Sequence, residues 1–182
     1  VPDEFPQVHD RLQEWKSLPF QQLCLEIMEL FVSQDLNRDA LEGLINRSFA
    51  SFRHPLITPV KKLKTYSVLE LFHGPTFAFK DVALQFLGNL FEHFLTEDGQ
   101  TLNVLGATSG DTGSAAIHGL RGKKGVKVFM LHPRGRVSPI QERQMTTVLD
   151  PNIHNLAVEG SFDDAQSIVK SLFNDPQLKR SR

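Results

Sequence analysis

The residues of this 182-residue chain whose types and spacing suit chemistry fall in two short stretches. One is His73-Gly74-Pro75-Thr76-Phe77-Ala78-Phe79-Lys80-Asp81, and the other is Ala107-Thr108-Ser109-Gly110-Asp111-Thr112-Gly113. Lys80 carries a primary amine, the group needed for covalent attack on a carbonyl carbon. The apolar run 66–72 before it reads as a strand and the amphipathic run after it as a helix, which places Lys80 in a first helical turn just past a strand end. Unpaired backbone N–H groups and the positive end of the helix dipole lie there, and both disfavour the ammonium form. The second stretch sits between a predicted strand and a predicted helix. Its glycines, Gly110 and Gly113, let the backbone approach a ligand closely, while helix N–H groups and the hydroxyls of Thr108, Ser109 and Thr112 can hold a phosphate or a carboxylate. It contains neither GxxxxGK[ST] nor GxGxxG, so it is neither a P-loop nor a dinucleotide fingerprint. Taken singly, each stretch has a plainer explanation: a lysine at a helix start is commonly solvated, and such a loop can be a helix cap with a tight turn. Both fall at the carboxyl ends of predicted strands, where open α/β sheets bind ligands, and together they favour a functional reading.

An α/β framework is needed to position them. After a proline- and acid-rich lead-in over residues 1–19, helical spacing of Leu23, Ile27, Leu30 and Phe31 predicts a helix over 20–35. Leu41, Leu44, Ile45, Ser48 and Phe49 predict a second over 37–52. Pro55 and Pro59 punctuate the chain, and Lys61, Lys62 and Lys64 read as a solvated basic run. Strand and helix then alternate: strands over 66–72, 103–107, 126–131 and 153–158, and helices over 78–97, 113–121, 139–149 and 162–173. This alternation predicts a parallel sheet of about four strands covered by helices on both faces. In the long helix Phe79, Ala83, Phe86, Leu87, Leu90, Phe91 and Phe94 form an apolar stripe that reads as core packing. The expected organisation is a helical segment over 1–60, an α/β domain over 61–175 and a disordered tail over 176–182.

Composition narrows the classes of function. A hydrophobic share of 40%, a charged share of 23% and a formal net charge of −1 give no reason to expect nucleic acid or an anionic membrane as a partner. Cys24 is the only cysteine, which excludes an intramolecular disulfide and a multi-thiolate zinc site and points to a reducing compartment. No apolar run is long enough to span a bilayer, because the most hydrophobic helix carries Asp81, Gln85, Asn89, Glu92 and His93. The chain starts at Val1 with no signal-peptide pattern, so it is expected either to have lost a leader or to be part of something longer. His9, His54, His93, His118, His132 and His154 show no metal-ligand spacing and read as surface or satisfied residues. Arg134 and Arg136 can reach an anionic ligand, although a solvated loop is the simpler reading. The triplet Asn46-Arg47-Ser48 matches a glycosylation sequon but lies on a predicted helix.

The two stretches, with Ala83-Leu84-Gln85 behind the first, resemble the threonine synthase family, including its threonine-synthase-like branch, and the resemblance runs over residues 1–174. It implies a fold-type-II enzyme dependent on pyridoxal 5'-phosphate, with Lys80 at the position of the Schiff-base lysine. It further implies Thr108, Ser109, Gly110, Asp111, Thr112 and Gly113 as contacts of the cofactor and substrate. The implied reaction of the synthase-like branch is that of a phospho-lyase on a small phosphorylated amino acid, O-phosphohomoserine or O-phosphothreonine, giving 2-oxobutyrate, ammonia and phosphate. The family's glycine-rich loop for the cofactor phosphate and its partner for the pyridine nitrogen are not in this sequence, and residues 176–182 depart from the family pattern. The expectation is a truncated chain with weak or no activity and doubtful retention of the cofactor. The resemblance also implies an alternative, a truncated, secreted, cytokine-like (osteoclastogenic) variant that would signal through its surface to a cell-surface receptor. Localisation is then secreted for that variant and cytoplasmic otherwise.

Overall fold

The computed structural model describes residues 4–177, and the chain divides into two compact units between Gly74 and Pro75. The first unit begins with a 3-10 turn, His9–Arg11, and α1, Leu12–Trp15, both within the proline- and acid-rich lead-in. Helix α2, Phe20–Val32, starts behind the extended Pro19. Helix α3, Arg38–Phe49, is capped by Asn37, whose side chain accepts from the Ala40 N–H at 2.9 Å. The apolar face expected of α3 is the buried one: Leu41, Leu44, Ile45, Ser48 and Phe49 are all inaccessible, and α2 packs against them with the Phe20 and Phe49 rings edge to face at 4.8 Å.

Strand β1, Val60–Lys62, pairs antiparallel with β2, Ser67–Leu69, as a two-stranded ribbon of its own. This corrects two expectations. The strand anticipated over 66–72 is short and is not a member of the parallel sheet, which therefore has three strands. Lys61 and Lys62 are solvated as expected, but they lie within the first strand and do not precede it. Leu63 and Tyr66 close the ribbon through a backbone bond of 2.8 Å, so the apolar run folds back on its own neighbour. The boundary expected at 60/61 accordingly falls later, at 74/75.

The second unit is the α/β part. Helix α4, Asp81–Asp98, ends at Gly99 in the left-handed conformation, φ +63°, the usual stop for a helix. Then follow β3, Leu102–Ala107; α5, Asp111–Leu120; β4, Val126–Pro133; α6, Pro139–Thr146; β5, Ile153–Val158; and α7, Phe162–Asn174. The parallel sheet has the order β3-β4-β5, with Ala107 opposite Leu131 and Val158 opposite Pro133, so the carboxyl ends of all three strands share one edge. Central β4 sends Val126, Val128 and Met130 into a core with Ile117 and Leu120 of α5, Met145 of α6 and Ile153 of β5. Its alternate residues face the other side, and α7 packs on β3 and β4. A capping box starts α7, with Ser161 and Asp164 bonding each other's backbone N–H.

Helix α4 does not bury the expected apolar stripe. Phe79 and Phe94 are exposed, and of that stripe only Phe91, with Leu95 beside it, packs against the core. The buried residues of α4 are Asp81, Gly88 and Asn89. The reason is a backbone-to-backbone crossing with α5: a Cβ on Gly88 would overlap the Gly119 carbonyl, and one on Gly119 would overlap that of Leu84. Of the segment 176–182, Pro176 and Gln177 have helical backbone and 178–182 lie outside the described residues.

Candidate functional site

Two turns at the carboxyl edge of the parallel sheet are each tied to α6. The far end of α4 lies beside Gly125, just before β4, because a Cβ there would touch the Gln100 carbonyl and the Leu95 side chain. Eighteen residues of helix extend about 27 Å, longer than β4, so the start of α4 reaches the opposite, carboxyl edge. Helix α5 begins at the same edge, directly after β3.

Lys80 is the N-cap residue of α4, one position before the first turn, and the strand ending at Leu69 is well upstream of it. Asp81, fully buried, accepts from the Thr76 N–H at 2.8 Å and from the Thr76 hydroxyl at 2.7 Å. One carboxylate thereby closes the turn that presents the lysine. Phe77 sits inside that turn at φ +64°, a left-handed conformation that is uncommon for a bulky side chain. The Lys80 side chain is half-buried, and its Nζ stands 4.2 Å from the centroid of the Phe79 ring, a cation–π contact.

In the second turn the Thr108 hydroxyl is buried and committed to its own loop. It accepts from Gly110 N–H at 3.1 Å and Gly113 N–H at 2.8 Å. A side chain on Gly113 would collide with Thr108, and one on Gly110, φ +153°, would collide with Gln141. Ser109, Asp111 and Thr112 are exposed, and their backbone N–H groups have no partner among the described residues. Thr108, Gly110 and Gly113 thus build the cradle, while Ser109, Asp111 and Thr112 line it.

Helix α6 touches both turns. The Gln144 amide donates to the Thr76 carbonyl at 3.1 Å, and one turn earlier the Gln141 amide donates to the Asp111 carboxylate. The His118 ring Nε2 lies 3.2 Å from the Gln144 carbonyl, and burial pushes this imidazole below its ordinary pKa. Sequence reasoning assigned no role to Thr76, Asp81, Gln141 or Gln144. The pair of amides three apart on α6 was the available signal, since both point the same way from a helix. Arg134 is paired with Glu159 at 2.7 Å, and Arg134 and Arg136 are both exposed. His132 is neither at the surface nor satisfied: it is buried, and its Nδ1 has no partner among the described residues. No group of three or more metal-ligating side chains occurs among the described residues, and no described helix is long and apolar enough to cross a membrane.

A half-buried amine and a loop of unpaired N–H donors at one sheet edge fit a cofactor that offers an aldehyde, with an anionic group of cofactor or substrate in the loop. Residues 1–49 match the family described as threonine synthase N terminus. The chain is 54% identical to threonine synthase of Schizosaccharomyces pombe over 99% of its own length and 37% of that protein's. It is 43% identical to threonine synthase-like 2 of Xenopus laevis, over 96% of this chain and 38% of that one. Among solved structures, threonine synthase from yeast superposes with a TM-score of 0.91 at 50% identity, covering 98% of this chain and 38% of that one. The pyridoxal-phosphate-bound threonine synthase from Brucella melitensis gives 0.92 at 38% identity, covering 97% and 39%. The fold is that of the fold-type-II pyridoxal-phosphate enzymes. Within that class the chain belongs to the threonine synthase family, and it spans less than half the length of these relatives.

Proposed function

We propose that this chain contributes the cofactor lysine and an anion-binding loop to a pyridoxal-phosphate-dependent phospho-lyase. Its substrate is a small O-phosphorylated amino acid, O-phosphohomoserine or O-phosphothreonine. The products are 2-oxobutyrate, ammonia and phosphate, with one water consumed. The observation that supports this reading is the placement of the Lys80 amine, on a turn closed by Asp81, at the same sheet edge as the unpaired N–H groups of Ser109, Asp111 and Thr112.

Pyridoxal phosphate, when bound, supplies an electron sink for negative charge developing at the substrate's Cα. Lys80 is the amine that would hold the cofactor and, once released, the base that takes the Cα proton. The loop's N–H groups and the hydroxyls of Ser109 and Thr112 would bind a carboxylate or phosphate and so orient Cα toward that amine. Asp111, held by Gln141, presents a negative charge at the rim of the same loop.

The test is trapping. The 182-residue chain, incubated with pyridoxal phosphate and reduced with borohydride, should carry the adduct on Lys80, and Lys80→Ala should lose it. Label distributed over surface lysines with none on Lys80 would remove the basis for this function. The alternative, a secreted signalling protein, draws on none of these groups; a cellular response that survives Lys80→Ala unchanged is what would favour it.

A further inference from the structure

Thr76 is held at every polar group it has. Its N–H and hydroxyl both donate to the Asp81 carboxylate, and its carbonyl accepts from Gln144. These partners come from two different helices, the first residue of α4 and the middle of α6, and Thr76 itself is only 5% exposed. Three residues separate it from Lys80, and one of them is Phe77 in its left-handed conformation. A backbone in that state persists only where its surroundings over-determine it. The Asp81 bonds close the turn on itself, whereas the Gln144 bond ties it to α6. Gln144 is in turn fixed: its own carbonyl lies 3.2 Å from His118 of α5, the helix that carries the anion loop.

We infer that Gln144 is a positioning residue for the Lys80 amine, acting through the carbonyl of Thr76. The inference rests on the reading of Lys80 as the cofactor lysine. Loss of the amide donor leaves a buried carbonyl unpaired and frees the turn to shift, and small displacements of a reacting group carry large rate penalties.

The experiment measures the rate of borohydride-trapped adduct formation on Lys80 at saturating pyridoxal phosphate, in the full chain. Gln144→Met, close in shape but without a donor, should slow it by about tenfold or more. Gln144→Glu, the same size and unable to donate when ionised, should do the same, and it stands in if the methionine variant fails to fold. Thr146→Val is the comparison: it removes a side-chain bond on the same helix, the 2.9 Å bond to the Glu142 carbonyl, which touches neither turn, and it should stay within about twofold. A second readout needs no cofactor. Acetylation of Lys80 by a small lysine-selective reagent should rise severalfold in Gln144→Met as the turn loosens, and not in Thr146→Val. If the parent chain forms no adduct, the functional reading fails, and the acetylation rates alone decide this inference. Parent-like behaviour of both Gln144 variants overturns it. So does an equal loss in Thr146→Val, which would make the integrity of α6 the cause.

Discussion

At the scale of the residue, the two turns are built by the same device: one side chain accepts hydrogen bonds from loop groups, at least one of them a backbone N–H, that no helix or strand satisfies. Asp81 does this for Thr76, and Thr108 for Gly110 and Gly113. The consequence is a division of labour among the residues that the sequence groups together. Thr108 reads in the sequence as a ligand contact, yet its hydroxyl is spent on structure, while Ser109 and Thr112 retain theirs. Thr108→Val keeps the shape and leaves two buried N–H groups unpaired, at about 1–3 kcal/mol each. Chemical denaturation should show that loss. Ser109→Ala and Thr112→Ala should stay within about 0.5 kcal/mol of the parent. A Thr108→Val variant as stable as the parent would return that hydroxyl to the list of ligand contacts.

At the scale of the element, α4 and α5 cross without side chains between them. Gly88→Ala would drive a methyl into the Gly119 carbonyl, and a backbone cannot rotate aside as a side chain can. The expected cost is about 3 kcal/mol or more, read as a lower midpoint of unfolding, with Lys80 adduct formation falling as the two turns separate. This crossing also shows where the sequence stopped being legible. The helices and β3 to β5 follow from periodicity, because each buries one face against a neighbour that the pattern can sense. Strand β2 was misassigned because periodicity reports that a run is extended, not which strand it pairs with, and its partner β1 is three exposed residues long. The apolar stripe of α4 misled for a related reason: Gly88 and Gly119 carry no hydrophobic signal, yet they set which face is turned to α5. Lys80 and the loop over 107–113 stood out by residue type. Their supports, Gln141 and Gln144, are ordinary amides until the fold places them.

At the scale of the whole molecule, stability should depend on pH through His118. Its burial is the largest cause of a lowered pKa; Arg121 also lowers it, and the bond with the Gln144 carbonyl works in the opposite direction. With the folded value below the unfolded one of about 6.5, the unfolded chain binds a proton more readily. Stability is therefore fully present above that value and is lost as pH falls through it toward the folded value. The unfolding midpoint should drop as pH falls below the ordinary imidazole value of about 6.5, and His118→Gln, which keeps a donor for Gln144, should flatten that part of the curve. An unchanged slope in the variant would assign the acid sensitivity to other groups. Another global consequence follows from Phe77. A non-glycine residue at φ +64° costs of order 1 kcal/mol that glycine would not incur. Selection for a sturdier protein alone would replace it. On the reading of Lys80 as the cofactor amine, that strain helps to preset it, and thermostability and reactivity then pull this one position in opposite directions.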